Sequence, residues 1–283
     1  LGRSALVMEQ RFMPLTGGGA RLIVQIAGTT DQLFQDLARP LADDVVTGTV
    51  DTKAPPSALP LIVLDPGHGG IDAGATGPSG ETEKAIVLQF AQTLKDRLEA
   101  GGKVRVMMTR TTDVFVPLRD RVRMARQAKA QLFVSLHADA LADEENVRGA
   151  SIYVLSERAT DERSAKLADK ENRADLVGGI DLKDDQDEVA DILFDLARRE
   201  SRAFSNQFAR HLATTLPKAT RMHKTPLRGA AFRVLRAPDV PSVLLELGYL
   251  TTSEDARLMQ TAEWRRDTAN AAAEAIERFV AER

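Results

Sequence analysis

The chain has 283 residues and no cysteine. Disulfides, thiolate metal sites and a cysteine nucleophile are therefore excluded, and any metal must be held by histidine and carboxylate. Long apolar runs are missing too: none approaches the ~18 residues that a membrane-spanning helix needs. A charge excess of one sign is also absent, because 38 basic residues meet 41 acidic ones for a net charge of −3. That balance speaks against a general nucleic-acid binder and against a disordered acidic chain. No charged segment followed by an apolar core of signal-peptide type is visible, and the first residue is Leu, so the sequence reads as a processed or truncated chain. What the chain does have is 43% hydrophobic and 28% charged residues, enough to bury a full core, and only four histidines, few enough to weigh one by one.

Residues 1–53 show one convincing strand, Arg21–Ala27, after the turn-like Gly17-Gly18-Gly19, a partial segment rather than a domain. Residues 54–60 (APPSALP) carry three prolines and read as a stiff linker at a domain boundary. From residue 61 strand-like runs alternate with helical patterns. These are Leu61–Asp65, a helix near Glu83–Glu99, Val104–Thr109, a helix near Leu118–Lys129, Leu132–His137, Ser151–Leu155, Val243–Leu247 and a closing helix near Ala262–Val280. The alternation predicts an α/β fold, a mostly parallel twisted sheet with helices on both faces. The unbroken apolar character of LIVLD and VLLEL agrees, since a strand buried on both faces need not alternate. Between these runs the charge separates: residues 157–200 hold 14 acidic and 8 basic residues, and residues 201–236 hold 8 basic and none acidic. The acidic run DLKDDQDE (181–188) reads as a solvated loop. Helical patterns near Asp161–Leu176 and Glu188–Leu216 flank it, a longer excursion than a parallel crossover needs. An inserted helical subdomain at about 156–216 is therefore expected within a main domain of 61–283.

Asp65-Pro66-Gly67-His68-Gly69-Gly70 follows the first strand of that domain. In open α/β sheets ligands bind outside the carboxyl ends of strands, and glycines let the backbone turn tightly there. His68 is thus placed to bind something; the plainer alternative is a glycine turn with an incidental histidine. His137 ends LFVSLH at the equivalent place, so two imidazoles converge on one sheet edge, although alone it would more often be a hydrogen-bonded structural residue. His211, on an amphipathic helix, and His223, in a basic loop, suit surface roles. A third ligand should be a carboxylate. Glu83 shares a helix face with Ile86, Val87, Phe90 and Leu94, the face that meets the sheet, and Glu81 is less well placed. The alternative for Glu83 is a first-turn acid favoured by the helix dipole. Glu246, inside Val243–Leu247, puts a carboxylate into a doubly buried strand, which is costly unless it is paired or near a metal. That makes it the best candidate general base, with a salt bridge to Arg233 or Arg236 as the alternative.

Four separated motifs in order closely resemble the zinc-dependent N-acetylmuramoyl-L-alanine amidases of the bacterial cell-division class (amidase_3 type). They are DPGHGGIDAGATG (65–77), GETEKAIVL (80–88), TRTTDVFVPLRDRVRMARQAKAQLFVSLHADA (109–140) and APDVPSVLLELGYLTTSEDARL (237–258). The resemblance covers about residues 60–283. It implies one Zn2+ per chain, held by His68, Glu83 and His137, with Glu246 as the catalytic glutamate. The implied reaction is hydrolysis of the amide between N-acetylmuramic acid and L-alanine in peptidoglycan, releasing stem peptides in the periplasm during cell separation. The resemblance further implies autoinhibition: DERSAKLADKENRADLVGG (161–179) resembles the helix that plugs the site, with Glu171 on the metal in the resting state and Asp139 as a further contact. The alternative for Glu171 is a surface residue in an i,i+4 pair. A plug implies a partner, in this family an activator protein with a degenerate metallopeptidase-like domain, and residues 188–212 offer an amphipathic helix to grip. Arg21–Gly28 resembles one strand of the family's N-terminal peptidoglycan-targeting module, a remnant of it. Arg119 and Arg121 lie in the third motif and read as capping and salt-bridge residues. No nucleic acid and no transmembrane segment are expected, and a monomer is favoured. Two readings compete: a zinc carbohydrate deacetylase, and a non-enzymatic cell-wall binding protein on the same scaffold. The presence of all four site residues argues against the second.

Overall fold

A computed structural model describes the backbone of residues 5–14 and 20–28 and, with side chains, residues 59–140, 147–179 and 192–283, those of the last stretch from residue 198. The chain divides into two compact units, Leu1–Ala58 and Leu59–Arg283. In the first, β1 (Ala5–Pro14) and β2 (Ala20–Gly28) pair as an antiparallel hairpin, from Ala5 opposite Gly28 to Pro14 opposite Ala20. The sequence predicts β2 alone. β1 escapes because its register slips between Val7 and Glu9, which breaks the two-residue alternation that marks a strand. The glycine run 17–19, Pro55 and Pro56 of the expected linker and the acidic run 181–188 lie outside the described residues.

In the second unit the elements follow as β3 (Leu61–Pro66), α1 (Glu83–Ala100), β4 (Arg105–Met108), α2 (Leu118–Gln127), β5 (Leu132–His137) and β6 (Ala150–Leu155). Then come α3 (Glu162–Glu171), α4 (Ala174–Val177), α5 (Ile192–Thr215), β7 (Met222–Ala230), β8 (Ser242–Glu246), α6 (Ser253–Gln260) and α7 (Ala262–Ala281). The strands form one sheet in the order β4-β3-β5-β8-β6-β7. β4, β3, β5 and β8 run parallel; β6 pairs antiparallel with β8 and parallel with β7. The fold is the expected α/β architecture, mostly parallel, with a reversal at β6 that alternation of elements does not reveal.

Successive strand residues point to opposite faces, and both faces are covered. Ile62, Leu64, Leu132, Val134, Leu136, Val243 and Leu245 meet Phe90 and Leu94 of α1, Phe208 and Leu212 of α5 and Phe279 of α7. Val63, Phe133, Tyr153 and Leu244 meet Ala125 of α2, Leu167 and Ala168 of α3, and Phe232–Val240. Each fully buried Leu or Phe contributes ~1.5–3 kcal/mol, which is why the central strands are apolar throughout.

The excursion expected as a single inserted subdomain at about 156–216 is divided. Phe208, Leu212 and Leu216 lie in the main core, so the second half of α5 is a layer of the domain itself, and β7 adds a sheet strand. The surface of residues 188–212 open to a partner narrows, among the described residues, to Arg199, Glu200, Arg202, Ala203, Asn206 and Arg210.

β3, β5 and β8 are adjacent and parallel, so their carboxyl ends share one edge. The chain leaves β3 for β4 on one side while β5 lies on the other, and the crevice outside such a reversal of strand order is where an open α/β sheet binds its ligand.

Candidate active site

β3 delivers the chain into Gly67-His68-Gly69-Gly70. His68 takes φ 58, left-handed backbone that a non-glycine residue adopts at a cost of order 1 kcal/mol, and Gly69 and Gly70 follow at φ 127 and 57. Buried guanidiniums hold this turn. Arg121 donates from Nη2 to His68 O and from Nη1 to Pro66 O and Asp65 Oδ1, each at 2.8 Å. Arg110 donates from Nε to Pro66 O at 3.0 Å and from Nη2 to Gly67 O at 2.8 Å. Asp65 also accepts from Thr109 Oγ1 at 2.6 Å and Ser135 Oγ at 2.8 Å. Burial pushes its carboxyl up, but Arg121 and these hydroxyls outweigh that and hold it below the usual range.

Glu83 opens the buried face of α1, where Ile86, Val87, Phe90 and Leu94 follow it. It is 0% exposed, yet both oxygens have fixed donors: Ala75 N to Oε2 and Ala138 N to Oε1, each at 2.9 Å. Its oxygens lie 3.2 Å from His68 Nε2 and 3.1 Å from His137 Nδ1. The two rings stand edge to face with centroids 5.0 Å apart. Glycine makes room for this convergence: a Cβ on Gly67 would lie 2.5 Å from the His137 ring, and one on Gly74 2.7 Å from both Glu83 Oε2 and the His68 ring. Behind His68, Asp72 Oδ2 meets Nδ1 at 2.8 Å, leaving Nε2 to face the centre. A carboxylate on the far nitrogen is the arrangement that fixes a metal-binding imidazole.

His137 and Glu246 are direct neighbours across β5 and β8. Glu246 is fully buried and accepts from Asp139 N at 3.1 Å through Oε2, while Oε1 has no partner. From the other side the end of α3 brings in Glu171, whose Oε2 lies 3.4 Å from His68 Nε2 and 3.3 Å from His137 Nδ1. The preceding Lys170 pairs with Asp139 Oδ1. His68 Nε2, Asp139 Oδ2, Glu171 Oε1 and Glu246 Oε1 are buried without a hydrogen bond.

Glu83, Asp139, Glu171 and Glu246 thus crowd the two imidazoles, with Asp72 behind His68 and the Lys170 ammonium against Asp139. Glu246 is raised well above the carboxylate range by burial and then by the charges of Asp139, Glu83 and Glu171. Asp139 is raised to about 6 by burial and Glu83, against the pull of Lys170. Burial lowers His68, but Glu83 and Glu171 outweigh it and hold the ring well above its ordinary value. Such a surplus of buried negative charge asks for a cation. His68, His137 and Glu171 each offer a donor atom within 4.8 Å of the others, and Glu83 touches both rings; imidazole nitrogen with carboxylate oxygen is a donor set that zinc accepts.

Every candidate of the sequence reading, His68, Glu83, His137, Glu246, Glu171 and Asp139, meets at this one place. Glu81 does not; it accepts from Ser79 N at 3.0 Å in the preceding turn. His211 is not the surface residue expected but is buried, 2.9 Å from Glu282 Oε2, and His223 bonds with Thr225 and Arg228. Arg121 makes the expected salt bridge, to Asp65. Asp72 and Arg110 escape the sequence reading, although Asp72 follows His68 by four residues and Arg110 directly follows a strand-like run.

Fold and site together describe an α/β enzyme whose strand ends gather donors for a divalent cation. A family model described as N-acetylmuramoyl-L-alanine amidase (Amidase_3) matches residues 62–278. N-acetylmuramoyl-L-alanine amidase AmiA of Escherichia coli strain K12 is 36% identical over 271 residues, covering 94% of this chain and 93% of that protein. AmiC of Escherichia coli O6:H1 is 34% identical over 282 residues, covering 95% of this chain and 67% of that protein. Among solved structures, N-acetylmuramoyl-L-alanine amidase AmiC2 of Nostoc punctiforme matches with a TM-score of 0.57 at 26% identity, covering 79% of this chain and 98% of that one. The chain belongs to the N-acetylmuramoyl-L-alanine amidase family, in its cell-division type. Its reaction is hydrolysis of the amide between the muramoyl lactyl group and L-alanine in peptidoglycan.

Proposed function

We propose that the amidase holds one zinc ion through His68, His137 and Glu83, uses Glu246 as its general base, and rests with Glu171 closing the site. The observation that carries this is the meeting of two imidazoles with Glu83, Glu246 and Glu171 in one buried cluster, where His68 Nε2, Glu171 Oε1 and Glu246 Oε1 have no hydrogen-bond partner. Glu83 is the resident carboxylate because two backbone donors pin its oxygens, whereas Glu171 Oε1 has none. Bound zinc supplies a Lewis acid for the scissile carbonyl and for the attacking water. Glu246 takes a proton from that water and delivers it to the departing L-alanine nitrogen; the C–N bond breaks, leaving the lactyl carboxylate and a free amine. Burial and the neighbouring carboxylates raise Glu246 above an ordinary carboxyl, the direction that helps it hand a proton on to the amine.

With α3 in place, Glu171 fills the position substrate needs. Catalysis therefore requires α3 to withdraw, which is the task of an activator with a degenerate metallopeptidase-like domain, and the substrate puts the enzyme's work in the periplasm. The test is peptidoglycan hydrolysis with product identification and metal content, on wild type, Glu171→Ala and Glu246→Gln. Expected are about one zinc per chain, stem peptide released faster by Glu171→Ala, and zinc retained but release slowed about 10²–10⁴-fold by Glu246→Gln. Release of acetate instead would mark a carbohydrate deacetylase. A Glu171→Ala chain no faster than wild type would remove the plug and keep the amidase.

A further inference from the structure

Arg110 is 3% exposed and points under the site from the end of β4. Four of its five N–H donors are used, and all four go to main-chain carbonyls: Pro66 O at 3.0 Å, Gly67 O at 2.8 Å, Lys84 O at 2.8 Å and Thr112 O at 3.1 Å. Pro66 and Gly67 directly precede His68. Lys84 directly follows Glu83. A single guanidinium nitrogen, Nη2, bridges the two segments.

We propose that Arg110 is a positioning residue for the metal centre, fixing the separation between the loop that carries His68 and the helix start that carries Glu83. The inference rests on the zinc reading above. Arg121, the other buried guanidinium here, reaches Asp65, Pro66, His68 and Val116, so it braces the β3 side and not α1. The fork is planar and rigid, so the spacing it imposes does not adjust as a flexible ammonium would. Metal ligands need that constancy, since they must be held to within about half an ångström of productive geometry.

Gly69 packs closely against this side chain: a Cβ there would lie 2.2 Å from Val114 O and 3.0 Å from Arg110 Cδ and Nε. Burial, with Arg121 alongside, pushes Arg110 down to about 10. Its bonds to Pro66 O, Gly67 O and Lys84 O fall on the carbonyls that flank the two ligand residues, which is where a fixed spacing is needed. The joint is repeated closer to solvent: Lys84 Nζ reaches Gly70 O at 2.8 Å and Asp113 Oδ2 at 2.7 Å, while Asp113 Oδ1 accepts from Gly70 N at 2.8 Å. The segment from Arg110 to Asp113 therefore straps the His68 turn to α1 twice.

The experiment uses the full chain stripped of metal, as wild type, Arg110→Lys, Arg110→Gln and Asp113→Asn. Zinc affinity is read by competition with a coloured chelator, site geometry by the visible absorption of the cobalt-substituted protein, and folding by thermal unfolding. Stem-peptide release is read in the Glu171→Ala background. Arg110→Lys keeps the charge and the stem; it is expected to fold, to lose about 10–100-fold in zinc affinity, to shift the cobalt spectrum and to lower kcat with KM unchanged. Asp113→Asn is expected to lose less than about threefold, the weaker of the two joints. Arg110→Gln, if folded, should resemble Arg110→Lys. A folded Arg110→Lys chain with zinc affinity within twofold of wild type and the same cobalt spectrum overturns the proposal. So does an Arg110→Lys chain that does not fold, because the residue then serves stability alone. Wild type that binds no zinc overturns the metal reading itself, a result distinct from either.

Discussion

The turn after β3 brings His68 to the site and the pair α3–α4 brings Glu171, and the two are held in place by different means. In the turn, carbonyls and carboxylate are gripped by two buried guanidiniums, and Glu83 beside it takes two backbone donors. In α3–α4 the ties are polar and partly wet. Asp161, 46% exposed at its side chain, pairs with Arg228; Lys170, equally exposed, pairs with Asp139. The Asn172 side chain bonds Ala231 O at 2.9 Å and Arg233 N at 2.7 Å, and Asp175 accepts from Leu118 N at 2.9 Å. Leu167 and Ala168 are buried, but Leu176 and Val177 are half exposed at 50% and 51%. Each of these ion pairs has one half-exposed partner open to water and salt, and neutral hydrogen bonds contribute about 1 kcal/mol, so the helix pair is the less firmly held of the two.

The sharpest way to break this comparison is Arg121→Ala. It strands the buried Asp65 carboxylate, and denaturant unfolding should show a loss of about 3–5 kcal/mol; a loss under 1 kcal/mol would mean the turn is no firmer than α3. Leu167→Ala, in the buried contact of α3, should cost about 2 kcal/mol, the low end for a core leucine, and raise basal hydrolysis because α3 loosens before the domain does. Unchanged basal hydrolysis would tie α3 to the core. Asn172→Ala removes two part-buried hydrogen bonds and should cost about 1–2 kcal/mol, with a smaller rise in basal release of stem peptide than Leu167→Ala. The smallest effect is a pH dependence at Asp161. Its slight burial pushes the carboxyl up, but hydrogen bonds from Ser164 and Arg228 hold it down at about 2, against 3.8 ordinarily. A depressed carboxyl stabilises the fold above its unfolded value and loses that contribution as pH falls through the folded one. The gap in unfolding temperature between wild type and Asp161→Asn should therefore close as pH drops from 3.8 to about 2, and a gap independent of pH would detach Asp161 from the hold on α3.

LIVLD, LFVSLH and VLLEL mark β3, β5 and β8 to within a residue or two, and the residues at or just past their ends are His68, His137 and Glu246. That much is legible because a strand buried on both faces must be apolar, so a polar residue at its end stands out. β7 is not legible. Between Ala150 opposite Met222 and Ile152 opposite Leu227 its register slips, and the intervening His223-Lys224-Thr225-Pro226 erases any alternation. The reversal at β6 is hidden too, since strand direction leaves no trace in composition. Arg110 and Asp72 act through main-chain carbonyls and an imidazole, and although Arg110 follows a strand-like run and Asp72 lies four residues after His68, neither residue type at such a place specifies that partner.

The sequence by itself settled the donor chemistry and the places where it enters. Without cysteine only imidazole and carboxylate remain, and local periodicity puts them at strand ends and on the first turn of α1. Only the tertiary structure decided that Glu171 reaches the same two rings as Glu83, and that Arg110 rather than a carboxylate joins the two ligand segments. Local pattern reflects which face of an element is buried. Which buried groups meet depends on the packing of elements far apart in the chain, and the cost of a buried charge is set by those neighbours alone.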